Sequence, residues 1–253
     1  MTLPLIVTGL LVFGRIGGLL LALPVVSAQG VPRHVGVLGA FALTIVIGPI
    51  APAAGDLQSL SVLMMAFASE VLLGLLMGSC VRAVFGALAL AAEIMSGQMG
   101  LAMATLFDPM LRSNQGTMGT LGSWIAAAVF LGLGLHLRAI EVVAGSFTVI
   151  APGDVGTVLK GGPVLLDAVA ATLVLGVQLA GPVVALVWMV NCFVAVLSRL
   201  APNMNVFFSV GMVMTNVAGI LLFGVALPYL LTMHAGALAD STTLMTRVLV
   251  LVR

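Results

Sequence analysis

The sequence predicts an all-α membrane protein, and three observations carry that prediction. Hydrophobic residues make up 62% of the 253-residue chain and charged residues only 7%, where a soluble domain has about 45–50% and about 25%. Mean hydropathy is +1.30. The apolar residues fall in runs long enough to cross a bilayer, which takes about 20 residues, and these runs lack the alternation and the ~10-residue length of barrel strands. Nine Lys and Arg against eight Asp and Glu give a net charge of +1, which leaves no basic footprint for nucleic acid. With so few polar side chains, a soluble monomer and a disordered chain are excluded as well.

The elements follow in order. The first run, Leu3 to Leu23, is interrupted only by Arg15 and stops at Pro24. No small-residue cleavage site follows a charged start, so this run is expected to be retained. A polar connection, Ser27 to His34, leads into a charge-free run from Val35 to Gly55 that Pro49 and Pro52 break. Asp56 to Ser61 has helix-start character, because Asp and Ser cap free backbone N–H groups. The third run, Leu60 to Met103, carries Glu70, Arg82 and Glu93. Unbroken, it is a helix of about 65 Å, twice the ~30 Å hydrocarbon core, so it has to kink, fold back or leave the membrane.

Asp108-Pro109 ends that run, since the residue before proline is pushed out of the α region. Asp108 to Gly122 is polar and glycine-rich and predicts a flexible loop. An apolar run from Ser123 to Leu137 follows, then a shorter one through Arg138 and Glu141 to Ile150. Ala151 to Pro163, with two Pro and four Gly, is the strongest loop signal. Leu165 to Leu200 is apolar but for Asp167 and Arg199, with a break expected at Gly181-Pro182. A turn at 201–205 precedes the last run, Val206 to Met233, and a more polar tail begins at His234.

Charges inside apolar runs are the most informative residues, since each costs several kcal/mol at membrane depth unless it faces a partner or an aqueous path. Arg15, Glu70, Arg82, Glu93 and Arg199 are such residues, and an inter-helix ion pair that fixes assembly is favoured over a water-filled pathway. Arg82 and Glu93 share a helix face but stand about 16 Å apart, too far to pair with each other. Gly14-x-x-x-Gly18 and Gly74-x-x-x-Gly78 suit close helix packing. Cys80 and Cys192 read as small buried hydrophobes. His34, His136 and His234 are scattered, without metal-ligand spacing. No nucleophile constellation or phosphate loop is present, so neither an enzyme nor a cofactor is expected. Lys and Arg are spread too evenly for the positive-inside rule to set an orientation.

Three stretches resemble one family. They are Phe13-Gly-Arg-Ile-Gly17 with Leu23-Pro24, Val31-Pro-Arg33 and the Pro49/Pro52 pair; Glu93-Ile-Met-Ser-Gly-Gln-Met-Gly-Leu-Ala-Met-Ala-Thr-Leu-Phe-Asp108-Pro109; and Leu197-Ser-Arg-Leu-Ala-Pro-Asn-Met-Asn-Val-Phe207 with Gly211. In this order, over nearly the full length, they resemble the flagellar biosynthetic FliR family and its type III secretion counterparts, the SctT proteins. The chain departs from the family pattern at Val213 and at Thr215-Asn216, where proline and lysine are usual, and at Leu135-His136, where Gly-His is frequent.

The resemblance implies hydrophobic helical hairpins with broken helices, built into a helical export-gate assembly of the bacterial inner membrane. The site is the flagellar basal body or a secretion-system base, with part of the assembly raised toward the periplasm. It implies FliP-like and FliQ-like partners, FlhB-like and FlhA-like components, and unfolded protein substrates in transit. It also implies a FliP-like region over 1–180 and a FliQ-like hairpin over 181–253. A plug loop is implied at Leu106, Phe107, Asp108, Pro109, Met110, Leu111, Arg112, Ser113, Asn114 and Gln115, and a family turn at Pro202, Asn205 and Phe207. The segments around Phe207 and Ser146-Phe147 lean toward the flagellar branch over the virulence (injectisome) one. A small-molecule secondary transporter is the alternative from another class; it calls for two related halves, and the sequence has no internal repeat.

Overall fold

A computed structural model describes residues 2–24, 32–55, 59–101, 116–154, 158–200 and 211–252. Of these, 89% are helical and none is in a strand, so the all-α class holds. The helices are α1 (Thr2–Ala22), α2 (Arg33–Ile47), α3 (Leu60–Met99), α4 (Thr117–Gly132), α5 (Leu135–Val149), α6 (Gly162–Leu200) and α7 (Met212–Val252), with a 3-10 turn at Val158–Gly161 before α6. Four are long and apolar enough to cross a membrane, or five spans if α4 and α5 count as one broken span. Gly134 makes that break by adopting φ 66°, a left-handed conformation glycine reaches without a Cβ penalty.

Several sequence expectations are corrected by these boundaries. Of the outcomes expected for the third run, folding back is absent and leaving the membrane stays open: α3 is one 40-residue helix. At about 60 Å it overreaches a ~30 Å hydrocarbon core even when tilted by ~40°. The break expected at Gly181-Pro182 is absent, because α6 continues through Pro182. One proline removes a single i→i−4 bond, and in a long apolar helix the neighbouring bonds persist. Residues 117–122, expected in a loop, open α4. The more polar tail after His234, for which the sequence set no element, continues α7 to Val252. Its hydroxyls are satisfied inside the helix: Ser241 donates to the Leu238 carbonyl at 2.6 Å and Thr246 to Thr243 at 2.7 Å. Cys192 is exposed, while Cys80 is buried as expected.

The chain divides into two compact units. The first comprises Met1–Phe85, Phe130–Ala171 and Ala237–Arg253. Its buried residues follow helical periodicity: Leu11, Val12, Ile16 and Leu19 on α1; Leu73, Met77 and Val81 on α3; Ala139, Val143 and Phe147 on α5. Thr8 ties in the segment after α2, accepting the Ala54 N–H at 3.0 Å. The second unit comprises Gly86–Val129 and Thr172–Gly236. There Leu88, Ala92, Met95 and Met99 on α3 are buried along with Leu179, Val183 and Val187 on α6.

Candidate functional site

In the first unit, α1 and α3 cross at glycines. A Cβ on Gly74 would meet the Arg15 carbonyl oxygen and stand 2.8 Å from the Leu19 nitrogen. On Gly78 it would stand 2.6 Å from the Ala22 Cβ, and on Gly18 2.9 Å from the Leu75 nitrogen. The two helices therefore touch backbone to backbone, and the packing reading of the Gly-x-x-x-Gly pairs holds for Gly18, Gly74 and Gly78.

This close approach brings Arg15 and Glu70 together. Arg15 is 0% exposed and Glu70 2%. Arg15 Nε donates to Glu70 Oε2 at 2.5 Å and Nη2 to Oε1 at 3.0 Å, a bidentate pair. The guanidinium makes further bonds nearby. Arg15 Nη1 donates to Ser146 Oγ at 2.9 Å, and Nη2 also donates to the Ile150 carbonyl at 3.1 Å. The guanidinium lies 4.3 Å from the centre of the Phe147 ring, within cation–π range. Glu70 Oε1 further accepts the Gly153 N–H at 2.9 Å. Gly153 has φ 93°, so a glycine is needed where the turn presents that N–H. One buried, multiply hydrogen-bonded charge pair thus joins α1, α3, α5 and the turn after α5.

The sequence singled out Arg15 and Glu70 but not each other, and it missed Ser146, Phe147, Ile150 and Gly153. The remaining expected buried charges are corrected: Arg82, Glu93 and Arg199 are exposed on this chain. Each lies beside the buried stripe of its helix, not on it.

In the second unit, Glu93 acts at the start of α4. Its Oε1 accepts the Gly116 N–H at 3.3 Å, one residue before Thr117 opens the helix, where a carboxylate also opposes the positive end of the helix dipole. The end of α3 is held on its other sides. Trp188 Nε1 donates to Gln98 Oε1 at 2.8 Å, and Gly219 leaves room for the Met99 side chain. Gly100 (φ 79°) stops the helix, with the Leu101 N–H returning to the Ser96 carbonyl at 3.2 Å. The expected plug loop, 106–115, and the family turn at Pro202, Asn205 and Phe207 lie outside the described residues. Replacing Glu93 by alanine is expected to speed hydrogen exchange of the first α4 amides by roughly two- to fivefold; unchanged exchange would show that the carboxylate does not hold them.

Among the described residues no cluster of His, Cys, Asp or Glu could hold a metal ion. What remains is a scaffold of long apolar helices with one internal charge clasp. The model for the bacterial export proteins, family 1, matches residues 6–241. The chain belongs to this family. Flagellar biosynthetic protein FliR of Escherichia coli is 29% identical over 217 residues, 85% of this chain and 82% of that protein. FliR of Caulobacter vibrioides is 28% identical over 200 residues, 78% and 80% of the two chains. Yop proteins translocation protein T of Yersinia pestis is 27% identical over 209 residues, 79% and 78%. The bacterial export protein described here is a transmembrane component of a type III export apparatus. Its relatives are named for flagellar biosynthesis and for protein translocation.

Proposed function

We propose that this bacterial export protein is the export-gate subunit of a flagellar type III apparatus in the inner membrane, forming with FliP-like and FliQ-like subunits the channel that unfolded flagellar proteins enter. The observation that carries the reading is the family match over residues 6–241, with flagellar relatives similar over about four-fifths of both chains. The structure is in keeping with it. Large apolar side chains such as Trp188, Met189, Phe193 and Val225 are exposed, and α3 is far longer than one bilayer crossing requires. FlhB-like and FlhA-like components, a position raised toward the periplasm, and the division into 1–180 and 181–253 belong to the same proposal. So does a role in assembly for the exposed Arg82, Glu93 and Arg199. A second reading, a virulence-type secretion system, rests on the Yersinia relative.

The test is to express the chain with and without its FliP-like and FliQ-like neighbours and measure the mass of the detergent-purified product. One large, discrete assembly is expected. A stable solitary chain that transports a small molecule would overturn the proposal in favour of a transporter. Within the proposal, residues 106–115 form a plug. Deleting 110–115 is expected to make the resting gate leak ions and small solutes, and unchanged permeability of cells carrying the assembled variant would remove the plug from the reading.

A further inference from the structure

The start of α6 and the end of α7 share one end of the first unit: a Cβ on Gly161 would lie 3.1 Å from Val252 Cγ2 and 3.3 Å from Val248 Cγ1. Between them opens a groove of about 390 Å³ with apolar walls at Val164, Leu244 and Val250 and three polar residues, Asp167, Thr246 and Arg247. We propose that this groove holds a phospholipid with a zwitterionic headgroup of the phosphoethanolamine class.

The charges carry the argument. Asp167 and Arg247 are both exposed, and neither is ion-paired with another described residue. A groove that presents one carboxylate and one guanidinium, each without an ion-pair partner among the described residues, disfavours a simple anion through Asp167 and a simple cation through Arg247. A ligand bearing both charges satisfies both. The guanidinium fork matches a phosphate, and the carboxylate accepts from an ammonium. Thr246 spends its proton on the Thr243 carbonyl at 2.7 Å, so its oxygen is left as a second acceptor. The apolar walls suit acyl chains.

Depth agrees with charge. Asp167 is five residues inside the start of α6 and Arg247 five inside the end of α7, about 8 Å from either terminus. Helices of 39 and 41 residues, about 60 Å long, outreach a ~30 Å hydrocarbon core, so a point about 8 Å from the end of one centred on the bilayer lies at headgroup level.

The experiment uses the assembly purified with its partner subunits, stripped of lipid and then offered dioleoyl phosphatidylethanolamine or dioleoyl phosphatidylglycerol, with retained lipid counted by native mass spectrometry. Phosphatidylethanolamine is expected to be retained over phosphatidylglycerol, and Asp167→Asn and Arg247→Gln are each expected to lower its retention by roughly two- to fivefold. Asp167→Asn should also narrow the difference between the two lipids. Equal retention of both lipids, or no response to either substitution, overturns the proposal. So does a crosslink from Thr246→Cys to a partner subunit, which would put protein in the groove. The same spectra report the mass of the assembly, so loss of lipid from an intact complex is separate from failure of the export-gate reading.

Discussion

Replacing Arg15 by methionine is expected to unfold the first unit or to leave it too unstable to enter an assembly. The substitution strands the Glu70 carboxylate, 2% exposed, with the Gly153 N–H as its remaining donor. It also leaves the Ser146 hydroxyl and the Ile150 carbonyl without the guanidinium that joins them to α1. Breaking a buried pair by removing one partner costs about 3–5 kcal/mol, a large part of a total of about 5–15 kcal/mol. Glu70→Met should cost as much, since a buried guanidinium without a counter-charge is no easier to accommodate. The double variant Arg15→Met, Glu70→Met should regain most of the loss, because well-packed apolar residues replace such pairs at little cost. The readouts are the thermal midpoint of the detergent-purified chain and its level in the membrane. Two single variants as stable as the parent would show that the pair is dispensable. A double variant no better than either single would show that Arg15 and Glu70 act through other groups.

Much of this clasp was legible in the sequence, but not its pairing. The all-α membrane class follows from the length of the apolar runs, and Arg15 and Glu70 stand out as charges within them. The phase of the helical repeat marks these two positions as inward-facing. Arg15 lies in register with Leu11, Val12, Ile16 and Leu19, and Glu70 with Ala66, Leu73 and Met77, all buried. Arg82 and Glu93 are exposed although Val81 and Ala92 beside them are buried. Membership of an apolar run therefore does not separate the two kinds of charge. The partners Ser146 and Gly153 were illegible for a different reason. A hydroxyl and a turn N–H, more than seventy residues from either charge, carry no local pattern, and only the packing of α5 brings them close. Proline misled in the opposite direction: Pro182 reads as a break, yet an apolar helix with no water to compete for its carbonyls keeps its course through it.

The second large effect is expected at the glycine crossing. Gly74→Leu should destabilise the first unit about as severely as loss of Arg15, although it removes no charge and no hydrogen-bonding group. Any Cβ there runs into the Arg15 carbonyl and comes within 2.8 Å of the Leu19 nitrogen. Neither atom can move without moving α1. Overpacking of this kind typically costs about 1–3 kcal/mol and occasionally more, and here separating the helices also pulls Arg15 from Glu70. Gly78→Leu should act likewise, against Ala22 and the Leu19 carbonyl. Gly9→Ala is the control. It lies on the same helix as Arg15 with nothing within 4 Å of the added Cβ, so it should be neutral or slightly stabilising, as alanine is the better helix former. The coupling can be measured directly. If the crossing matters through the charge pair, Gly74→Leu should cost clearly less in the Arg15→Met, Glu70→Met background than in the parent, because part of the damage has already been removed. Equal cost in both backgrounds would mean that the glycines and the ion pair hold α1 to α3 independently.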